Sequence, residues 1–326
     1  MTRTLVAIFG FALSLVGLLA ASACSPPAEG PSTASDRPAR VVVVRLDGFV
    51  GCGVDAELLR QPLAEIVADL DRRVDTVVFA LDSGGGMLNR VGPLSDLIHG
   101  YFAERDIDCI GWIERAESAA SIVALTIPDL WVSPDGTIGA AIGVREAGPG
   151  AWQALPPEEQ EAVRFMVAAA ASRGGHDPDV ALRMTQPASS TDDPHGGRVF
   201  TGQEAAEFGI AQAANSIDAA LDSIYGSSGW QIDRERSDRI SRTVERAERV
   251  RAELAELYER LDRATASAAE GDSSAVGLAA EVLDQLLELA SKDDPATVRA
   301  VRFLGGFQRV SGAIDRVDAL SDQNTP

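Results

Sequence analysis

The first half of the chain alternates short runs of β-branched and other apolar residues with segments of helical periodicity. Strand-like runs lie at residues 41–46, at 76–81 and around 109–113. Helical patterns at about 54–72 and 89–104 separate them. Strands that alternate with helices form βαβ crossovers, and such strands lie parallel in a sheet that is buried on both faces. The sequence therefore predicts an α/β fold.

The same domain continues to about residue 228. After a helix that begins near Ser118, the predicted elements are a short strand at 130–132, an extended segment at 138–144, a Gly/Pro loop and a helix at 157–173. Residues 199–210 then predict a strand, a short helix and a strand. Thr201 is the expected N-cap of that helix, with Glu204 as its capping-box partner three positions later.

Residues 229–326 have a different composition and predict a helical extension. From 233 to 263 the chain is rich in Arg and Glu, and its apolar side chains recur at spacings typical of a coiled-coil seam. The seam residues are Ile240, Thr243, Ala247, Val250, Leu254, Leu257 and Leu261. Helical patterns follow at 274–291 and 296–320. The extension is either a helical hairpin or small bundle folded back on the domain, or a coiled-coil arm for oligomerisation or partner binding.

The first 24 residues have the layout of an export signal: Arg3, an apolar run over 5–20, and small residues before Cys24. The run is shorter than the roughly 20 residues that a spanning helix prefers. Residues 21–24, ASAC, resemble a bacterial lipobox, in which the cysteine is acylated after cleavage. We expect an extracytoplasmic lipoprotein anchored to the membrane through Cys24, followed by a flexible linker over 25–40. Plain secretion and an uncleaved single-pass anchor are the alternatives.

The charge of the chain excludes one class of partner. The chain of 326 residues is 45% hydrophobic and 24% charged, as is usual for a soluble globular protein, and its net charge is −20. A charge of this sign repels phosphate backbones, and the sequence has no basic stripe that would bind one. We expect no nucleic-acid partner.

Two short segments could carry chemistry. The first is residues 82–87, DSGGGM, between a predicted strand and a helix. Its glycines permit positive φ and leave amide N–H groups available to an anion, so it is either half of an oxyanion hole or an ordinary turn. The second is residues 117–121, ESAAS, where Ser118 is either a nucleophile at a helix N-terminus or simply the N-cap. Ser121 is a second candidate nucleophile, or a core-facing or capping hydroxyl.

Taken in order, these segments resemble the Clp protease and signal peptide peptidase superfamily. Residues 82–86 are similar to its Ser-Pro-Gly-Gly turn, with Gly84 in place of the proline. The stretch from Ser118 to Leu125 is similar to its nucleophile helix, and SPDGTIGAAIGV at 133–144 to the strand that follows. Residues 199–210 resemble its late T-x-x-E-A-x-x-x-G-I element. The membrane serine proteases of the nodulation-efficiency (NfeD) type are the nearest branch.

The resemblance implies a crotonase-like or Clp-like superhelix of βαβ units with a mostly helical C-terminal extension. It places the nucleophile at Ser118, one oxyanion-hole amide at Ala119 and the other at Gly85 or Gly86. The implied reaction is acyl transfer from a polypeptide through an acyl-enzyme, without a cofactor or a metal. We also expect a homo-oligomer, because Clp-like domains commonly assemble into one.

The general base that the family uses is not identifiable in the sequence. A serine hydroxyl needs a proton acceptor, which is histidine in the Clp branch and lysine in the signal peptide peptidase branch. Where the lysine is expected, around 156–161, the chain has glutamates, and its only lysine is Lys292. Of the histidines, His99 lies on a predicted helix far from the turn, and His176 and His195 lie in predicted loops, where solvated histidines are the rule.

Two function classes remain open from the sequence. The chain is either an exported serine peptidase that acts at Ser118, or a pseudopeptidase that binds peptides or serves as a scaffold. An acyl-CoA enzyme of the related crotonase fold is a weaker third, because export removes the chain from coenzyme A. Cys52 and Cys109 could pair in an oxidising compartment, or be buried free thiols beside strands.

Overall fold

A computed structural model describes residues 37–148, 151–187 and 197–323. Its nine strands are β1 Ala39–Asp47, β2 Thr76–Ser83, β3 Asp108–Glu117, β4 Asp129–Gly139, β5 Val144–Gly148, β6 Ala151–Ala154, β7 Val199–Thr201, β8 Gln212–Ala213 and β9 Trp230–Ile232. Its α-helices are α1 Ala56–Ala68, α2 Val91–Asp96, α3 Ala119–Ala124, α4 Pro157–Gly174, α5 Pro178–Ala181, α6 Gly202–Glu207, α7 Ile217–Tyr225, α8 Arg234–Ala269, α9 Ser273–Ala290, α10 Pro295–Phe303 and α11 Gly306–Gln323.

A seven-stranded sheet forms the centre of the α/β part, in the order β7, β4, β3, β2, β1, β9, with β8 also paired to β4. All of its pairs are parallel except β4 with β7. The largest core cluster, with Phe79, Leu81 and Ile122 among its members, lies on one face. On the other face α7 covers a smaller cluster that includes Trp112 and Trp131. The predicted α/β class with a helical C-terminal part is confirmed.

Most of the predicted elements are present, and two differ. The capping box between Thr201 and Glu204 forms as predicted. The Gly/Pro loop after residue 144 instead contains the antiparallel pair β5 and β6. β1 begins at Ala39, within the predicted linker, and Arg37 just before it binds Asp75 at 2.7 Å. The remainder of the linker, the export signal and Cys24 lie outside the described residues.

The helical extension folds back on the domain. The seam residues Ala247, Val250, Leu254, Leu257 and Leu261 are buried with side chains of α9, α10 and α11. Because these apolar side chains pack within one chain, they do not offer the exposed seam of a coiled-coil arm. None of the helices in the described ranges is long and apolar enough to cross a membrane.

The first residues of the extension, which was predicted to begin at 229, contact the α/β part. Trp230–Ile232 forms β9 and pairs in parallel with β1. Ile240 and Val244, in the first turns of α8, belong to the core of the α/β part. A strand of three residues is too short to produce a recognisable alternation, so the sequence pattern did not reveal it.

Candidate functional site

Three parallel strands, β2, β3 and β4, end side by side at the carboxyl edge of the sheet, where open α/β sheets bind ligands. Ser118 follows directly after β3 and precedes α3. Its backbone N–H donates to the Gly139 carbonyl at the end of β4, at 2.8 Å. Ser118 is therefore fixed between the ends of two strands.

The backbone of Ser118 is strained, with φ 51° and ψ −125°. A residue with a side chain rarely adopts such a conformation, which costs on the order of 1–3 kcal/mol unless surrounding structure enforces it. Its side chain makes no capping hydrogen bond to α3, so the structure does not support the N-cap interpretation. No hydrogen bond to the half-buried Ser118 hydroxyl forms within the described ranges. Strain without a capping function is typical of a functional residue.

The glycine turn after β2 lies against Ser118. Gly85 has φ 108°, and a Cβ on it would lie 2.6 Å from the Ser118 Cβ and 3.2 Å from its Oγ. Gly86 has φ 148°, and a Cβ there would collide with the carbonyl oxygen of Val50. Both positions therefore require glycine, for conformation and for space.

The three amides predicted to bind an oxyanion differ in whether they are already hydrogen-bonded. The Gly85 N–H donates to the Ser83 hydroxyl at 3.2 Å, so it is engaged within the turn. The Gly86 and Ala119 N–H groups have no hydrogen-bond partner among the residues that the structure describes. An amide that needs no reorganisation is well suited to stabilise a developing negative charge. Gly86 and Ala119 are thus the better-placed pair of donors.

The carboxylates of Asp82 and Glu117, at the ends of β2 and β3, already have partners. Asp82 binds Arg115 at 2.9 Å, and the Glu117 carboxylate accepts a hydrogen bond from the Thr137 hydroxyl at 3.2 Å. Ser121 is fully buried, and its hydroxyl donates to the Ser118 carbonyl at 2.7 Å. Ser121 is therefore a core hydroxyl, in agreement with one of the alternatives left by the sequence.

None of the candidate bases in the described part of the chain contacts Ser118. His99 lies near the opposite edge of the sheet, and the His176 ring is hydrogen-bonded to the Ile127 carbonyl at 2.8 Å. Lys292 occupies the exposed turn after α9. His195 lies outside the described residues. Glutamates 158, 159 and 161, at the position expected for the family lysine, are exposed on the first turns of α4.

Cys52 and Cys109, the cysteines within the described residues, are free thiols that function as packing groups. Burial raises the pKa of both, that of Cys109 to about 12, so neither is a ready nucleophile at neutral pH. Within the ranges 37–148, 151–187 and 197–323 no group of three or more Cys, His, Asp or Glu residues could hold a metal ion.

Sequence reasoning missed the loop between β1 and α1, residues 48–53. Its Val50 pairs with the glycine turn on both sides of Gly86. The three glycines Gly48, Gly51 and Gly53 were the available signal, because glycines this dense often mark a close approach of another part of the chain. The loop therefore belongs to the candidate site.

Several solved structures match the chain at low sequence identity. No family model and no curated protein matches the chain. A mutant of the 1510-N membrane-bound stomatin-specific protease, in complex with a substrate peptide, matches with a TM-score of 0.49 and 16% identity, over 64% of this chain and 99% of that one. The 1510-N protease from Pyrococcus horikoshii gives 0.42 and 17%, over 57% and 78%.

ClpP1 from Listeria monocytogenes matches with a TM-score of 0.36 and 15% identity, over 52% of this chain and 89% of that one. Identities this low leave the activity of this chain open. The matched proteins are thus a membrane-bound protease and a Clp protease.

Proposed function

We propose that the protein is a serine peptidase-like hydrolase that cleaves polypeptides through an acyl-enzyme at Ser118. The observation that supports this most directly is the conformation of Ser118, which is strained, makes no cap to α3 and lies against the glycine turn. A residue whose only duty was to begin a helix would not need that conformation.

The proposed chemistry uses the groups at the carboxyl edge of the sheet. The Ser118 oxygen attacks the peptide carbonyl carbon, and the carbonyl electron pair moves to the oxygen, which the Gly86 and Ala119 N–H groups stabilise. Collapse of this intermediate breaks the C–N bond and releases the amine, which takes up the serine proton. Water then attacks the ester and regenerates the hydroxyl. A base has to accept the Ser118 proton and pass it to the leaving amine. Substitution of His195 tests whether that histidine is the base.

A fluorophosphonate probe and a small-residue peptide ester test the proposal. We expect the parent protein to be labelled at Ser118 and to hydrolyse the ester, and Ser118→Ala to lose both by several orders of magnitude. Ser121→Ala is the matched control, because that hydroxyl is buried one turn further along α3, and it should leave labelling intact. A His195→Ala variant that also loses activity identifies the base.

The second candidate function is a pseudopeptidase that binds peptides without cleaving them. The absence of any base in contact with Ser118 among the described residues favours it. It predicts no hydrolysis by the parent protein between about pH 5 and 10, a range that deprotonates a histidine or a lysine of lowered pKa. A parent protein that resists the probe, cleaves nothing and still binds peptides would replace the peptidase proposal by this one.

We further propose that the protein is exported and held at the membrane by lipid on Cys24. The support is the apolar run that ends in small residues before this cysteine. The mature protein should begin at Cys24, have an intact mass that includes acyl chains, and partition into detergent. Cys24→Ala should abolish the added mass, and an unmodified parent chain in the aqueous phase would contradict the proposal.

Self-association of this fold stays a prediction. Because the apolar seam of α8 is buried within the chain, a homo-oligomer would have to use another surface. Light scattering of the protein without its first 24 residues, at micromolar concentration, distinguishes an oligomer from a monomer.

A further inference from the structure

The orientation of the Gly86 peptide depends on a loop that is not part of the sequence motifs. The Val50 N–H donates to the Gly85 carbonyl at 2.8 Å, and the Met87 N–H donates to the Val50 carbonyl at 2.9 Å. These bonds flank Gly86 on both sides. Since Gly86 offers one of the two free amides, movement of Val50 would move that amide.

Glu248, near the middle of α8, holds the loop before and after Val50, at Phe49 and at Gly53. One of its carboxylate oxygens accepts hydrogen bonds from the N–H groups of Phe49, at 2.9 Å, and Gly53, at 2.8 Å. The other accepts from the Arg251 side chain at 2.7 Å. Bonds to a charged acceptor are shorter and stronger than neutral ones. The carboxylate therefore ties α8 to the backbone of the loop.

Arg299 of α10 holds the loop at Gly51. It is 3% exposed, and it donates to the Gly51 carbonyl at 2.9 Å. Its guanidinium also pairs with Asp55, which is 1% exposed, at 3.0 Å and with Glu57 at 3.0 Å. A buried cation needs such partners, because an unpaired one would carry a large desolvation penalty. The position of Gly51 is thus set by α10.

Phe49, Val50 and Gly51 are consecutive, and each contacts a different part of the molecule. The outer two are held by α8 and α10, and the middle one pairs with the glycine turn. The Phe49 ring also packs on Phe303 of α10, with centroids 5.5 Å apart. The loop therefore connects the helical extension to the turn beside Ser118.

We propose that the helical extension sets the geometry of the oxyanion-binding turn, with Glu248 and Arg299 as positioning residues. Neither residue touches the reacting atoms, and both act through Val50 on the Gly86 amide. The effect on catalysis rests on the function proposed for Ser118. The connection between α8 and the turn through the loop does not depend on that function.

The test uses the full chain and substitutions at Glu248. Glu248→Ala removes both bonds to the loop, and we expect kcat for the peptide ester and the fluorophosphonate labelling rate to fall about 10- to 100-fold, with KM unchanged. Glu248→Gln should recover most of the loss, because its amide oxygen can still accept from both N–H groups. Glu245→Ala, an exposed position on the same helix, is the matched control and should behave as the parent protein.

Hydrogen exchange separates failure of this proposal from failure of the proposed function. If the parent protein neither reacts with the probe nor cleaves the ester, the proposed function fails, and exchange over residues 83–91 still reports the connection. Faster exchange there in Glu248→Ala than in Glu245→Ala supports it. Unchanged exchange at the turn, or a kcat equal to that of the control in an active protein, overturns it, whatever happens to Tm.

Discussion

The two edges of the central sheet differ in the kind of group that they present. At the amino edge a cavity of about 400 Å³ is lined by titratable side chains, among them His99, Asp108, Cys109, Asp129 and Tyr225. At the carboxyl edge Ser118 and the glycine turn present strained backbone and free amides. The nine residue steps of β3 from Asp108 to Glu117 separate the two edges by about 30 Å.

The groups at the amino edge are largely engaged with one another. The Tyr225 hydroxyl is hydrogen-bonded to Thr76 at 2.6 Å and donates to Asp108 at 3.4 Å, while Asp129 accepts a bond from Gln212 at 3.0 Å. Shifted pKa values there follow from burial. At the carboxyl edge the amides of Gly86 and Ala119 have no hydrogen-bond partner within the described part of the chain. Free donors and strain, more than cavity size, therefore locate the candidate site.

The largest loss of activity is expected for Gly85→Ala, which tests whether the active site lies at the carboxyl edge. The new methyl group would lie 2.6 Å from the Ser118 Cβ, so Ser118 and the glycine turn would have to move apart. We expect ester hydrolysis and probe labelling to fall about 10²- to 10³-fold, as when an oxyanion donor is lost. Gly209→Ala is the matched control, because Gly209 also has a positive φ, 69°, but no atom near its Cβ position. Equal activity of the two variants would contradict a site at this edge.

A second prediction concerns Cys109 at the amino edge. Burial raises its pKa from 9.0 to about 12, so at pH 8 the folded protein should contain roughly a thousandth of the thiolate that an ordinary thiol would have. Alkylation by iodoacetamide, measured on the Cys109 peptide by mass spectrometry, should be slower by two to three orders of magnitude than in urea. Comparable rates in the two conditions would show that the amino edge opens readily.

The smallest effect, a slight change in stability, is expected for Asp129→Asn. Burial raises the pKa of Asp129 in the folded state above 3.8, the ordinary value that it has in the unfolded chain. Between these two pKa values the folded state binds more protons than the unfolded state. The stability of the protein therefore falls as pH rises through that window. Asparagine avoids this cost and can still accept from Gln212. The variant should therefore have a slightly higher Tm at pH 7, an advantage that shrinks as pH falls through that window and is absent below 3.8. Ester hydrolysis should be unchanged. A large loss of hydrolysis would indicate that the active site lies at the amino edge instead.

Local pattern was sufficient to predict the parallel strands and the long helices, and the resemblance to the superfamily implied that Ser118 lies beside the glycine turn. Alternation and helical periodicity report which residues face a core, and ordered motifs report which strand ends are neighbours. What pattern did not reveal depends on contacts between distant residues. Glu248 binds the Phe49 amide across 199 positions, and the three residues of β9 become a strand only because β1 offers an open edge.

The single lysine of the chain has a practical consequence. Lys292 is exposed in the turn between α9 and α10, so a lysine-specific endoprotease has one peptide bond to cut, at a place where proteases act readily. The cut would produce a two-piece protein in which α10 and α11 are joined to the rest by non-covalent contacts alone. The dissociation of that small fragment would measure directly how tightly Arg299 and its neighbours hold it.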